Sequence, residues 1–581
     1  MSVILGLNTN HSDSSACLVI DGELVGAISE ERLGKRIKSS SEFPHNSIKS
    51  LMAASGVRLI DLTHIAISRN SNANLYARMR HAILNPLSTR NAFVEYLRRR
   101  RITDDHSLVK LVALSLDQDP LNFKGKVNYI EHHLSHIASS YYLSEFDKPT
   151  LGFSYDASGD FVSMMLAHCE GSNIKPFRKV FLPNSLGFFY TAVCQHIGFE
   201  KFGEEYKVMG LASYGNDIYS KQMNELIKYD EKNLIKLNSK YFRMHNGQAS
   251  GATNNCGEII INNIFTDKVT TLLGKKRVRN EPIKQLQMDL AASSQKHFEK
   301  IVIDILKQQE HKFQNGSIAM AGGCALNGIV NSSIRKHTKF ESQFIQPASS
   351  DDGTALGAAY WCWHNTEKKS KRFIMKHSYW GFEYNCKIKE LAIDQEIHVV
   401  EHNDVDRLLI TVANLLYQGK IVGWYQGKSE WGPRALGNRS ILANPCIIDM
   451  KDKINSKIKR RESFRPFAPT ILEEELNTYF IASGPSQYMQ HIVEVKNEWR
   501  DKFPAITHID GTARVQTVKQ SQNYLYYRLI KEFGKLSGHP MLLNTSFNEN
   551  EPIVETPEQA YSCFKRTDMD ILVLGNFILK K

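Results

Sequence analysis

The strongest constraint on the fold is a pattern that occurs twice. The chain opens with the apolar run "VILGLN", breaks at the polar "TNHSDSS", and resumes with "ACLVI", a "DG" turn at Asp21 and Gly22, and "ELVGAISEE". The same order returns in "TLGFSYD", which ends at Asp156, followed by the turn "ASGD", the run "FVSMMLAHCE" and a second turn, "EGS". Each copy reads as strand, polar loop with an Asp, strand, tight turn and strand, with about 150 residues between copies. A repeat of this kind predicts two related α/β subdomains whose polar first turns face each other across a cleft.

That arrangement resembles the duplicated actin- and hexokinase-like (ASKHA) architecture. At 581 residues the chain also exceeds what one core normally serves, so a further domain is expected. The most polar connection, "WHNTEKKSKRFIMKHS", sets the expected division at residues 1–365 and 366–581. Apolar runs are too short to span a membrane, and the N-terminus has no secretory pattern, so a cytoplasmic protein is expected. Nine cysteines without C-x-x-C spacing argue for reduced thiols. A net charge of +12 suits phosphate-rich ligands, nucleic acid or an anionic surface. The runs "LRRRR" (Leu97 to Arg101) and "KKSKR" (Lys368 to Arg372) read as solvated charge, because no aromatics interleave with them.

Between the copies lies "EHHLSHIASS", which opens a helix after the strand "KVNYI". His132 and His136, four apart, share a helix face and either converge on a metal ion or sit in a core. The stretch "SIAMAGGCALNGIVNSSI" is strand, turn, helix. Gly322 and Gly323 in its turn admit close backbone approach to a nucleotide. In "ASSDDGTALGAAYW", Asp351 and Asp352 precede a small-residue helix, as loop-borne ligands or, for Asp352, as a helix N-cap. The second half carries "QGKSEWGPRALGNRSILANP", where Lys428, Arg434 and Arg439 stand among glycines. Arg465, Arg514, Asn544 and Ser546 follow in apolar surroundings. Buried guanidinium groups are costly without an anion, so an anion pocket is expected there.

The ordered set "EERLGKRIK", "HHLSH", "GEEYKVMGLASYG", "GGCALNGIVNS", "SSDDGTALGAAYW", "EWGPRALGNRSILANP", "ESFRPFAP", "DGTARVQTV" and "LLNTSFNENEPIVETPEQA" resembles the O-carbamoyltransferase family from near Leu5 to near Leu574. The resemblance implies an α/β fold. An N-terminal duplicated ASKHA domain, similar to tRNA threonylcarbamoyl-transferring proteins, precedes a YrdC-like α/β domain. It further implies that the YrdC-like domain makes carbamoyl-adenylate from carbamoyl phosphate and ATP with Mg2+. The ASKHA domain then passes the carbamoyl group to a hydroxyl of a small molecule.

By the same resemblance His132, His136 and Asp351, with Asp156, hold a divalent metal, expected to be Fe2+. Gly322, Gly323 and Asn327 hold the adenosine end, with Glu205 and Lys207 nearby. Lys428, Arg434, Arg439, Arg465 and Arg514 neutralise phosphates, Asn544 and Ser546 donate to the carbamoyl group or a phosphate, and Lys38 reaches the second domain. Asp13 is the candidate base for the acceptor hydroxyl or else a turn residue. Many relatives carry His-Asp at this turn, whereas here Ser12 precedes Asp13, so His11 is left out of the catalytic set.

Two other readings remain at this stage: threonylcarbamoyl-adenylate-dependent tRNA modification, and a non-catalytic regulatory relative. The expected partner is a small-molecule acceptor, with no membrane or nucleic acid and with a homodimer as an option. The loops Arg69 to Pro120 and Tyr219 to Pro282 are expected to set acceptor specificity, and the arginines of the first favour an anionic acceptor.

Overall fold

The computed structural model describes residues 1–9, 11–85, 104–243, 251–254, 258–393 and 398–581. The run Leu97 to Arg101 therefore lies outside the described residues, as does part of each expected specificity loop. Two compact units divide between Met375 and Lys376.

In the first unit β1 (Val3–Asn8), β2 (Ser15–Ile20) and β3 (Glu23–Ser29) form an antiparallel meander. β4 (His64–Ile67) and β5 (Lys126–Tyr129) extend it in parallel from β1, in the order β3-β2-β1-β4-β5. The order recurs with β6 (Thr150–Gly159), β7 (Val162–Glu170), β8 (Asn173–Phe181), β9 (Ser317–Ala321) and β10 (Ser342–Ile345). Here too the first strand pairs antiparallel with the second and parallel with the fourth. The repeated pattern of the sequence is thus a duplicated actin- and hexokinase-like sheet.

Helices α1 (His132–Tyr141), α2 (Gly328–His337) and α3 (Thr354–Trp361) carry or flank the polar loops. The residues of α3, "TALGAAYW", are small for a steric reason. A Cβ on Gly6 of β1 would stand 2.3 Å from the carbonyl oxygen of Ala355, and one on Gly357 would stand 1.8 Å from that of Ser135 in α1. α3 therefore packs at backbone range against both the first sheet and α1.

The division between units falls later than the expected 365/366 because the polar connector folds back onto the first unit. Met375 N donates to the Leu143 carbonyl at 2.9 Å. Arg372 donates to the carbonyls of Tyr141, Ser144 and Phe146 and lies over the Tyr141 ring, 4.5 Å from its centroid. Arg372 is thus a bound cation of the first unit, not the solvated charge its sequence context suggests.

The second unit is α/β, built on a ten-stranded mixed sheet. β11 (Val422–Tyr425), β12 (Arg439–Ala443), β13 (Ala468–Leu472), β14 (Thr512–Val518) and β15 (Met541–Ser546) occupy its middle in the order β11-β12-β15-β13-β14. The helices Val405–Tyr417 and Tyr524–Ser537 bury Leu408, Leu409, Leu529 and Phe533 with Val422, Trp424 and Leu442 of the sheet.

Two outcomes follow from this packing. Gly357→Ala adds a methyl where α3 and α1 touch, and denaturant unfolding is expected to show a loss of about 1–3 kcal/mol. His364, ahead of the connector, donates from Nδ1 to the Lys369 carbonyl at 2.8 Å, while its buried Nε2 finds no partner among the described residues. Burial, aided by Arg372, pushes this imidazole down from 6.5 to about 4. Between those values the unfolded chain takes a proton that the folded chain resists, so stability falls as pH falls through that window, by about 1.4 kcal/mol per pH unit. Melting temperatures from pH 6.5 to pH 4.5 should decline less steeply in His364→Gln than in wild type.

Candidate metal and carbamoyl-transfer site

α1 begins where the chain leaves β5, and two carboxylates hold its first turn. Glu131 accepts from Leu134 N at 2.7 Å, and Asp160 Oδ2 accepts from both His132 N and Asn70 N, at 2.9 and 2.8 Å. His133 is turned away, with Nδ1 2.8 Å from the Ser154 hydroxyl and Nε2 2.9 Å from the Val162 carbonyl. His132 and His136 remain on one face with their Nε2 atoms 3.1 Å apart. Gly159 seals this side: a Cβ there would sit 1.9 Å from the His132 ring.

Asp351, just ahead of α3, brings Oδ1 within 3.4 Å of His132 Nε2 and 3.5 Å of His136 Nε2. Asp156 Oδ2 lies 3.7 and 3.5 Å from the same two atoms. One ligand atom from each of these four residues falls within 4.8 Å of the others. Donors bound at about 2.0–2.2 Å around one ion stand roughly 3–3.5 Å apart, so the spacing fits a single cation. Asp351 Oδ1 is buried and makes no hydrogen bond among the described residues, which leaves an acceptor for an ion to satisfy. Two imidazoles and two carboxylates suit Fe2+, Mn2+ or Zn2+.

The electrostatics favour a charged group here. Burial and the Asp351 charge work to raise Asp156, yet His132 and His136 hold it below the usual carboxylate range. Burial opposes ionisation of Asp351 as well, but His11 and the two facing histidines hold it well below that range. Burial pushes the His132 imidazole down, and the two aspartates outweigh it, to about 10. Asp13, at φ 55, accepts from the Ser350 hydroxyl at 2.7 Å, and burial with the Asp351 charge lifts its carboxyl to about 7.

His11 and Ser12 belong to this group, although the sequence argument left His11 out. His11 Nδ1 and the Ser12 hydroxyl both bond to Asp351 Oδ2, and the rings of His11 and His132 are 5.0 Å apart. The offset in "HSDS" misled because the left-handed residue at Asp13 turns the loop, a signal that no spacing rule reads.

At the glycine turn after β9, Gly322 (φ 103) passes so close to Tyr155 that a Cβ would lie 2.1 Å from its carbonyl oxygen. A Cβ on Gly323 would be 3.0 Å from Asp156 Oδ1, so this turn abuts the candidate metal ligands. Asn327 caps α2, accepting from Val330 N at 3.2 Å, and its amide pairs with Gln295. Half-buried Glu205 accepts from the Thr191 hydroxyl at 2.7 Å. Lys207 is corrected: its Nζ is engaged by Glu204 at 2.8 Å in a buried ion pair. Exposed Lys38 precedes Ser39, whose N bonds to Glu31 at 2.8 Å.

In the second unit Glu430 shapes the glycine-rich loop. Its Oε1 accepts from Leu436 N, Asn438 N and Arg439 N at 2.7, 2.8 and 3.2 Å, gathering the chain around Arg434. Arg514 of β14 faces Arg434, Arg461 and Arg465; burial, then these three cations, drives its guanidinium well below its usual range. Its Nε finds no partner among the described residues.

Arg439 is a second correction. It is fully buried, donates to the carbonyls of Gln426, Asn438, Phe382 and Glu555, and stacks 3.7 Å over the Tyr425 ring, so it supports the loop from behind. Asn544 spends its amide N–H groups on Ala435, Thr470 and Gln516, and Ser546 bonds to Asn548 and to the buried Lys459. Lys428 is exposed. Arg461 and Lys459 were not singled out from the sequence, because basic runs such as "KIKRRESFR" do not reveal which cations turn inward.

Residues 3–360 match the family model described as carbamoyltransferase N-terminus, and residues 413–581 match carbamoyltransferase C-terminus. The chain belongs to the carbamoyltransferase family. It is an enzyme of that family, which sets aside the non-catalytic alternative. Nodulation protein NolNO of Sinorhizobium fredii is 34% identical over 99% of this chain and 80% of its own length. Nodulation protein NolO of Bradyrhizobium diazoefficiens is 36% identical over 78% of this chain and 79% of its own. An uncharacterized Synechocystis protein is 35% identical over 100% of this chain and 97% of its length. Among solved structures, full-length HypF in the phosphate- and nucleotide-bound form aligns at TM-score 0.32 and 10% identity, over 62% of this chain and 46% of that one. No helix among the described residues is long and apolar enough to cross a membrane.

The His11 and Ser12 contacts give a direct test. Metal titration by calorimetry should find one divalent site in the wild type, no binding in His136→Ala, and affinity about 10–100-fold weaker in His11→Ala, where only a partner of a ligand is lost.

Proposed function

We propose that this carbamoyltransferase is ATP-dependent and works in two stages, with the second unit YrdC-like in chemistry and the first transferring the carbamoyl group to a hydroxyl of a small molecule. The observation that carries the reading is the convergence of Arg434, Arg461 and Arg465 on half-buried Arg514, whose Nε is enclosed. Four guanidinium groups brought within electrostatic reach repel one another and suit a ligand with several anionic oxygens.

In the first stage water opens carbamoyl phosphate to carbamate and phosphate. A carbamate oxygen then attacks the α-phosphorus of Mg2+-bound ATP, and pyrophosphate leaves. The arginines hold phosphate oxygens and offset the charge that grows on the leaving groups. In the second stage the acceptor oxygen attacks the carbamoyl carbon of carbamoyl-adenylate and AMP departs. The Asp13 carboxylate, poised near neutrality by burial and the Asp351 charge, accepts the hydroxyl proton. The turn at Gly322 and Gly323, whose missing side chains let it pack against Tyr155 and Asp156, receives the nucleotide by family resemblance. His132, His136, Asp156 and Asp351 would hold a divalent cation, Fe2+ by family resemblance, and such an ion would supply Lewis-acid stabilisation of anionic oxygen.

The test is pyrophosphate release from ATP with and without carbamoyl phosphate. Release is expected to require carbamoyl phosphate, to fall about 10²–10³-fold in Arg434→Ala, and to persist in His132→Ala, which should instead lose carbamate-ester formation. Release with threonine and bicarbonate in place of carbamoyl phosphate would favour the tRNA-modifying alternative.

A further inference from the structure

Beside Arg514 stands a histidine that this two-stage reading does not use. His508 is nine-tenths buried, and the turn after it leads into β14, which holds Arg514 two residues beyond Thr512 and so on the same face. The tautomer of His508 follows from its neighbours. The Thr512 hydroxyl donates to Asp510 Oδ1 at 2.7 Å, so its single proton is committed. The contact between His508 Nδ1 and Thr512 Oγ1, at 3.0 Å, must then run from the ring. Nδ1 carries the hydrogen and Nε2 is a bare lone pair, buried and without a partner among the described residues. Burial overrides the Asp510 charge and, helped by Arg514 and Lys451, pushes the imidazole down to about 4, so Nε2 stays an acceptor at neutral pH. Within electrostatic reach, Arg514 Nε is a buried donor that is also unsatisfied among the described residues.

One leftover acceptor and one leftover donor within electrostatic reach on the same side of β14 match a primary amide, which offers N–H and C=O from a single carbon. We infer that His508 is a specificity-determining residue of the second unit, its Nε2 accepting the carbamoyl N–H while Arg514 Nε–H donates to the carbamoyl oxygen. The inference rests on the carbamoyl phosphate reading above. It adds how the site separates that substrate from other acyl phosphates: acetyl phosphate has a methyl group where the amide N–H would be, and leaves Nε2 unpaired. A buried acceptor left unpaired discriminates more sharply than any loss of apolar contact.

The test compares carbamoyl phosphate and acetyl phosphate in wild type, His508→Phe, His508→Gln and Thr512→Val, by pyrophosphate release and by calorimetric binding. In His508→Phe the KM for carbamoyl phosphate is expected to rise about 10–100-fold and the preference over acetyl phosphate to collapse to within about threefold. The KM for ATP and inhibition by inorganic phosphate should stay within about twofold, because arginines hold the phosphate. His508→Gln, which keeps an acceptor oxygen, should retain most of the preference. Thr512→Val, which releases the tautomer, should lose part of it. Should His508→Phe fail to fold, as judged by its melting temperature, Thr512→Val carries the test. An undiminished preference in the folded variants, or phosphate inhibition lost in parallel with carbamoyl phosphate binding, overturns the assignment. Wild type that binds carbamoyl phosphate in preference to acetyl phosphate yet releases no pyrophosphate overturns the adenylate reading alone and leaves His508 to be judged on binding.

Discussion

The first unit depends on a helix being thin. α3 has glycine where it meets α1 and alanines where it meets β1, and these let backbone touch backbone on both sides. Bulkier residues would separate the layers by the depth of a side chain. Asp351 precedes α3 and the histidines ride on α1, so the distance between these helices is also the distance between candidate metal ligands from remote parts of the chain. The two sheets supply the frame, but this crossing converts a repeated fold into a site with ligands at coordination spacing.

The second unit solves a different problem, that of holding like charges together. Its glycine-rich loop takes its shape from Glu430, whose carboxylate gathers three backbone N–H groups, and from Arg439, whose guanidinium is spent on carbonyls. A loop closed by its own buried ionic groups does not need the ligand to order it. The backbone that carries Arg434 is therefore ordered by the protein itself, so an anion bound there as proposed would cost little conformational entropy.

Much of this was legible in the sequence. The two hairpins foretold two sheets, and the His pair foretold a shared helix face, because strand and helix periodicities are local properties. The division between units was read too early, since polarity marks "KKSKR" as solvent-facing while Arg372 is bound by carbonyls from α1 and its exit. Arg439 was assigned to a ligand for a related reason: a sequence shows that a cation is buried in apolar company, not whether it meets a substrate or a nearby carbonyl. His11 escaped because its part depends on a left-handed turn at Asp13, and His508 because its tautomer is fixed by a relay through Thr512 to Asp510.

Asp160 sits at the turn between β6 and β7 and takes one hydrogen bond from the start of α1 and another from Asn70, where the chain leaves β4. The exit of β4 and the helix that carries the histidines thus share a single oxygen. Moving one backbone moves the acceptor atom that both need. A shift at Asn70 is consequently transmitted to His132, and Asn74 further along adds a second tie, donating to the Asp160 carbonyl at 3.0 Å and to Glu131 at 3.3 Å.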